Sequence, residues 1–204
     1  GIVKARALKV LGKSGDRSLL PLLEPATKDE LATVRIAAFG ALLRLGRLEA
    51  WEELRKAAEA PNPEDRAEAL RTMADLNDQR AVPLMKDLLG YNQPSVRAAA
   101  ARGLGHLHRN DAREGIEKLL DDPVPPVRES AAAALGDLGA KDAVPALTRK
   151  LNDDVFSVRA AAAERLYSCH ADFHFATSFE SGQDVSRHAG GSAPPIQRRP
   201  SYRA

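Results

Sequence analysis

Large aromatic rings are scarce in this chain: Phe, Tyr and Trp make up 4% of its 204 residues. A core without them has to be filled by Ala, Leu and Val. That suits helices stacked at close range, because Ala has the highest helix propensity and lets helix axes approach. Cysteine is reduced to Cys169, which excludes an internal disulfide framework. No apolar run approaches the roughly 18 residues that a membrane span needs, so no membrane segment is expected. A surplus of either charge is missing too. With 30 Lys and Arg against 28 Asp and Glu, the net charge of +2 gives no strong pull toward nucleic acid or an anionic membrane surface. A Gly-rich phosphate loop, a nucleophile triad and a paired acid motif are also absent, so no catalytic residue, cofactor or metal site is read from the sequence. Nothing in it assigns a compartment, and cytoplasmic is the default reading.

What the chain does contain is an internal repeat, and a fixed period of this length sets the architecture. Val3-Lys4, Val34-Arg35, Asp65-Arg66, Val96-Arg97, Val127-Arg128 and Val158-Arg159 recur every 31 residues without a gap. Other columns keep step: Leu11, Leu42, Met73, Leu104, Leu135 and Leu166, then Leu23, Leu54, Met85, Ile116 and Leu147. Within a unit, Val96, Ala100, Ala101, Leu104 and Leu107 share one helical face. Ala81, Val82, Met85, Leu88 and Leu89 share a face of a second helix, as do Ala143, Val144, Leu147 and Leu151. A Gly column (Gly15, Gly46, Gly139) sits where a left-handed C-terminal cap is needed, and Pro21, Pro83 and Pro145 fall in the opening turn of the second helix. Two such helices cannot bury their apolar faces alone, so neighbouring pairs must stack. The expected fold is an all-α, right-handed α-α solenoid of about five and a half 31-residue helical pairs.

The run Val127-Arg128-Glu129-Ser130-Ala131-Ala132-Ala133-Ala134-Leu135-Gly136-Asp137-Leu138-Gly139, followed by Asp142-Ala143-Val144-Pro145-Ala146-Leu147, resembles the short HEAT-like repeat named after phycobilisome lyases. The resemblance covers about residues 1 to 166 and rests on packing and turn residues, so it implies a fold more than a function. It carries one implied activity, attachment of bilin chromophores to cysteine thiols. HEAT-like deoxyhypusine hydroxylases carry iron-binding His-Glu pairs. None of the five histidines here is followed by Glu, which sets that activity aside.

The column Lys4, Arg35, Arg66, Arg97, Arg128 and Arg159 could be read as a phosphate ladder. A cation in the first turn of a helix opposes the helix dipole, however, so a carboxylate partner is expected. Asp29 and Glu30, Asp121 and Asp122, and Asp153 and Asp154 each precede such an Arg by a few residues, and inter-repeat pairing is the preferred role. His106 and His108, two apart, point to different helix faces and read as surface and turn residues, not as a zinc site. Trp51 shares a column with Leu20, Val82 and Val144 and reads as core. Arg113 breaks that column, either as a snorkelling side chain, the preferred reading, or as a polar site.

The register fails after Leu166. A sixth second helix would place apolar residues at 174, 175, 178, 181 and 182, where the sequence has His174, Phe175, Ser178, Ser181 and Gly182. Residues 167–204 are therefore expected to be a non-repeat, at least partly disordered tail, following a solenoid over 1–166. A shift of reading frame near Leu166 would also account for the change. Cys169, His170 and His174 form a weak metal signal within it. At the other end a repeat is already under way at Val3 behind Gly1. The expectation is a fragment of a longer protein, with self-association through uncapped ends as a consequence.

These features lead to a protein–protein interaction scaffold, not an enzyme, with a bilin-chromophore lyase or lyase subunit as the alternative and a nucleic-acid-binding solenoid as a lesser one. By the resemblance, second helices line the concave side. Their outward columns hold Glu49, Arg80, Asp111 and Asp142; Glu52 and Glu114; Lys56, Asp87, Lys118 and Arg149; and Lys28, Glu59 and Asp121. Acids outnumber bases there, which argues for a protein or peptide partner over a nucleic-acid backbone. The candidate partner-binding residues are Arg55, Lys56, Lys86, Asp87, Glu117, Lys118 and Arg149.

Overall fold

A computed structural model describes residues 1–139 and 141–167, which fall in one compact unit and form helices joined by short turns. Each repeat opens with a long helix: α1 (Ile2–Lys13), α3 (Ala32–Arg44), α5 (Pro63–Asp75), α7 (Pro94–His106) and α9 (Pro125–Asp137). Each closes with a shorter one: α2 (Leu20–Leu23), α4 (Ala50–Ala58), α6 (Val82–Asp87), α8 (Arg113–Lys118) and α10 (Val144–Arg149). Residues 156–167 form α11, the odd half-repeat. The array is the all-α solenoid that the 31-residue period predicts. No helix among the described residues is long and apolar enough to cross a membrane. The expected tail lies outside the described residues apart from Tyr167, which is helical.

The turn inside each repeat explains why the period tolerates no insertion. Gly15, Gly46 and Gly139 have φ of 73°, 89° and 60°, and the same column is held by Asn77 at 53° and His108 at 52°. All five sit one residue beyond a helix C-cap, in the left-handed conformation that closes a helix end. In the second repeat the Arg47 amide reaches back to the Leu42 carbonyl at 2.9 Å and the Gly46 amide to Leu43 at 3.0 Å, satisfying carbonyls that the helix leaves open. His108, read from sequence as a turn residue, is one, and its Nδ1 lies 2.9 Å from the Asp137 carbonyl oxygen.

The closing helices differ from the continuous second helix expected. Apart from α4, each is a few α-helical residues between 3₁₀ turns, as in Gln79–Ala81, α6 and Leu88–Gly90. A 3₁₀ turn rises about 2.0 Å per residue against 1.5 Å for an α-helix, so the segment spans the repeat with few residues while its end groups stay hydrogen-bonded. Asp16 and Asp78 start two of them by accepting the Ser18 and Arg80 amides at 2.9 and 3.0 Å. The prolines at 21, 83 and 145 occupy the opening α-turn as expected.

The cation column is an inter-repeat clamp. Arg97 grips both oxygens of Asp122, 25 residues on, at 2.8 and 2.9 Å, and Arg128 grips Asp153 at 2.9 and 2.8 Å. Lys4 makes the equivalent pair with Asp29. Each Arg also donates to carbonyls of the turn before its own helix: Arg35 to Asp29 and Glu30, Arg66 to Glu59 and Ala60, Arg97 to Tyr91 and Asn92. Asp29, Asp122 and Asp153 in turn accept the amides of Leu31, Val124 and Val155, which orders the entry to the following helix. The acids that precede an Arg thus lend it their carbonyls and give their carboxylates to the preceding repeat. At two joints the acid is replaced. Ala60 takes its place opposite Arg35, and opposite Arg66 stands Tyr91, whose ring centre lies 4.5 Å under the guanidinium.

Burial alone would raise the Asp122 carboxyl, yet the Arg97 hydrogen bonds, the Val124 amide and nearby guanidinium charge outweigh it and hold the group below its ordinary 3.8. Asp153 is held low chiefly by Arg128. Since both are depressed in the folded state, the stability they contribute is whole above 3.8 and is lost as pH falls below it. Thermal midpoints should be flat between about pH 7 and 5 and fall below about 4, and Asp122→Ala should flatten that fall while costing about 1.5–3 kcal/mol at neutral pH. In the core, Leu104 and Leu135 are fully buried. Leu104→Ala should cost about 2–5 kcal/mol in urea denaturation, with hydrogen-exchange protection lost mainly in its own and adjacent repeats.

Candidate functional site

Two faces of the array are available, one along the closing helices and one along the opening helices. On the first stand the seven residues expected from sequence, and the structure does not gather them into one site. Arg55 binds Glu52 and Glu59 on its own helix at 3.0 and 2.7 Å, and Lys56 binds Glu53 at 2.7 Å. Glu117 is taken by Arg113 at 2.9 Å, which makes Arg113 a snorkelling, paired side chain. Lys86 reaches the next repeat, meeting Asp111 at 2.6 Å, and Asp111 is shared with Arg109. These two cations hold the Asp111 carboxyl well below the usual range. Asp87, Lys118 and Arg149 are exposed. Trp51 is buried as expected, with the Arg80 guanidinium 4.1 Å over its ring.

Contacts between non-adjacent repeats occur on the other face. Lys9 of α1 passes over α3 to Glu68 of α5 at 2.8 Å, and Arg71 holds the second oxygen of Glu68 at 3.0 Å. Small residues make this reach possible. A Cβ on Gly12 would stand 2.6 Å from the Ala41 backbone, and one on Gly105 would meet Ala134 at the same distance, so α1–α3 and α7–α9 pack at a separation that no larger residue permits there. Beneath the reach of Lys9, α3 presents the small, buried residues Ala37 and Gly40.

Three adjoining depressions result, and Lys9 borders all of them. One of about 280 Å³ draws Lys9, Arg71, Asp75, Arg102, His106 and Asp137 from four helices. A second of about 220 Å³ lies beside Ile2, Arg6, Thr33 and Glu68. Between them a narrow slot of about 30 Å³ has Ala37, Gly40 and Ala41 as its floor and Lys13, Arg44, Thr72 and Asp75 at its edges. The Thr72 hydroxyl is buried with no hydrogen-bond partner in the protein. Burial would raise the Glu68 carboxyl, but Lys9 and then Arg71 outweigh it and keep it ionised below its ordinary value. His106, read from sequence as a surface residue, lines the larger depression. Among the described residues no three His, Cys, Asp or Glu are grouped to hold a metal ion. Cys169, His170 and His174 lie outside the described residues.

A family model described as HEAT repeats matches residues 51–131 and, overlapping them, 92–168. Among solved structures, the chain is similar to one from the complex of CpcE and CpcF of phycocyanin lyase from Nostoc sp. PCC7120. The identity is 25% and the TM-score 0.60, over 82% of this chain and 72% of that one. Human deoxyhypusine hydroxylase aligns at 21% identity and a TM-score of 0.50, covering 82% of this chain and 67% of that one. A designed armadillo repeat protein aligns at 18% and 0.52, covering 81% and 92%. These last two likenesses are of fold alone. No curated protein matches the sequence. Matched over more than half its length by the family model and folded as the same kind of helical array, the chain belongs to the HEAT-repeat family.

Proposed function

We propose that the chain is a protein-binding scaffold, engaging a protein or peptide along one face of the solenoid. The observation that carries this reading is the large depression to which four separate repeats contribute: a surface built from many rigid helices suits an extended partner better than a single small substrate. Support for the opening-helix face over the closing-helix face comes from the charges. On the closing helices Arg55, Lys56 and Glu117 are spent on neighbours within four residues, whereas Lys9 bonds Glu68 two repeats on and Arg102 meets Glu129 of the next repeat, beside a hollow that Arg71 and His106 also line. Sparse aromatics and interleaved acids (Glu68, Asp75, Asp137) favour protein over nucleic acid, whose binding needs clustered bases and often stacking rings.

Capture on the immobilised intact chain tests this reading. The expected result is a stoichiometric partner that is lost with Lys9→Glu/Arg71→Glu/Arg102→Glu and kept with Lys56→Glu/Lys86→Glu/Lys118→Glu. The opposite pattern returns the site to the closing helices, and no loss with either set ends the scaffold reading.

The similarity to a phycocyanin lyase chain supports a second reading, a bilin lyase or lyase subunit. Incubation with a bilin and an apo-phycobiliprotein decides it. Covalent chromophore transfer to the acceptor would make the chain an enzyme, and no increase over the uncatalysed reaction is the result the scaffold reading expects.

A further inference from the structure

The near-zero net charge of the chain conceals a partition. Helices α1 and α3 carry four and two bases, and neither carries an acid. Two of those bases, Lys4 and Arg35, bond to the joints between repeats. The other four, Arg6, Lys9, Lys13 and Arg44, border the adjoining depressions on the opening-helix face. Acids enter this face only from α5 onward, and the first of them, Glu68, is drawn back over α3 to Lys9. Arg44 has no carboxylate and uses the Asp75 carbonyl at 2.6 Å. The slot between the bases is floored by Ala37, Gly40 and Ala41, so no side chain from α3 fills it, and the unpartnered Thr72 hydroxyl stands at its edge.

We infer that the α1–α3–α5 part of this face is a docking site for an acidic peptide segment of a protein partner, and that Glu68 stands in, in the free protein, for a partner carboxylate between Lys9 and Arg71. The inference rests on the scaffold reading and adds the partner's chemistry. Charge complementarity carries it. Four bases, three on α1 and one on α3, border the slot and the wider depression beside it, and the carboxylate already there is supplied from the same molecule by a side chain that must cross a whole helix to reach Lys9. An incoming Asp or Glu side chain can take the same two donors, with Lys13 and Arg44 at the edge of the slot for a second carboxylate. A nucleic-acid strand fits less well, because no aromatic ring lines these depressions for its bases to stack on.

Fluorescence anisotropy with a fluorescein-labelled Glu-rich peptide and the full chain tests the inference. The acidic peptide should bind, a Lys-rich peptide of equal length should not, and affinity should fall with rising salt. Lys9→Glu/Lys13→Glu should weaken binding at least about tenfold, in line with reversing charges that are hydrogen-bonded across an interface. Glu68→Gln, by releasing Lys9 and Arg71, should tighten it several-fold. Lys56→Glu/Lys86→Glu/Lys118→Glu on the closing helices should leave it unchanged. Circular dichroism monitors folding, and if Glu68→Gln loses helicity, Lys13→Glu decides in its place. Binding of both peptides alike, indifference to the α1 reversals, or tighter binding of a single-stranded oligonucleotide overturns the inference. A partner captured by the intact chain and not displaced by the acidic peptide overturns it too, while leaving the scaffold reading in place.

Discussion

Direct contact between the backbones of successive opening helices, at Gly12 on Ala41 and Gly105 on Ala134, is the constraint on which the rest of this structure depends. Dispersion and burial reward that approach only while both surfaces stay small. Across this face Lys9 comes within a hydrogen bond of Glu68, two repeats along. The scarcity of aromatics, which excludes so much at the level of composition, thus goes with helices packed at backbone contact.

Joints between repeats are held on a different principle. The Arg–Asp clamp takes a cation from one helix start and a carboxylate from the next repeat's entry turn, with both largely out of solvent: Arg128 and Asp153 expose 10% and 4% of their side chains. Desolvating two charges is expensive and is offset here by the number of bonds each makes, since the Arg also satisfies carbonyls and the Asp an amide. The specificity of this pattern fixes the register from repeat to repeat. Where it lapses, at Ala60, the joint between α3 and α5 has no carboxylate on the clamp side. The apolar core also divides there, with Val34, Ala37 and Ala38 in one cluster and Ile36 in the next.

Much of this was legible in the sequence, because a gapless period converts each observation into five or six. Helical pairs, left-handed caps and the proline positions follow from local chemistry alone. Even Asn77 and His108 could have been read as cap residues had their column been followed past the glycines. The partners of the cation column were half legible. The right acids were in view, but proximity in sequence suggested the acid before each Arg, and the bond runs to the one 25 residues after it, a distance only stacking defines. The 3₁₀ ends of the closing helices left no mark on the apolar periodicity, which a six-residue and a nine-residue helix share. Hardest to read was the close packing of the opening helices, because the glycines that permit it look in sequence like ordinary helix interruptions.

The packing also bears on what sort of function the fold can carry. The clamp and the core use up the column residues, which is why they are shared by repeat proteins of unrelated roles and why they say nothing of a partner. Freedom remains at the outward positions of the opening helices, where α1 and α3 contribute bases alone and α5 returns an acid. Those positions contribute little to folding: Arg6 and Lys13 are exposed, and Arg44 donates to a backbone carbonyl, not to a carboxylate. Lys9 is the exception, since its bond to Glu68 ties α1 to α5 across the joint that lacks a clamp. A ligand that took Glu68's place would free the α5 side of that joint while occupying its α1 side. Recognition on this face and the stiffness of the second joint are therefore linked through one lysine.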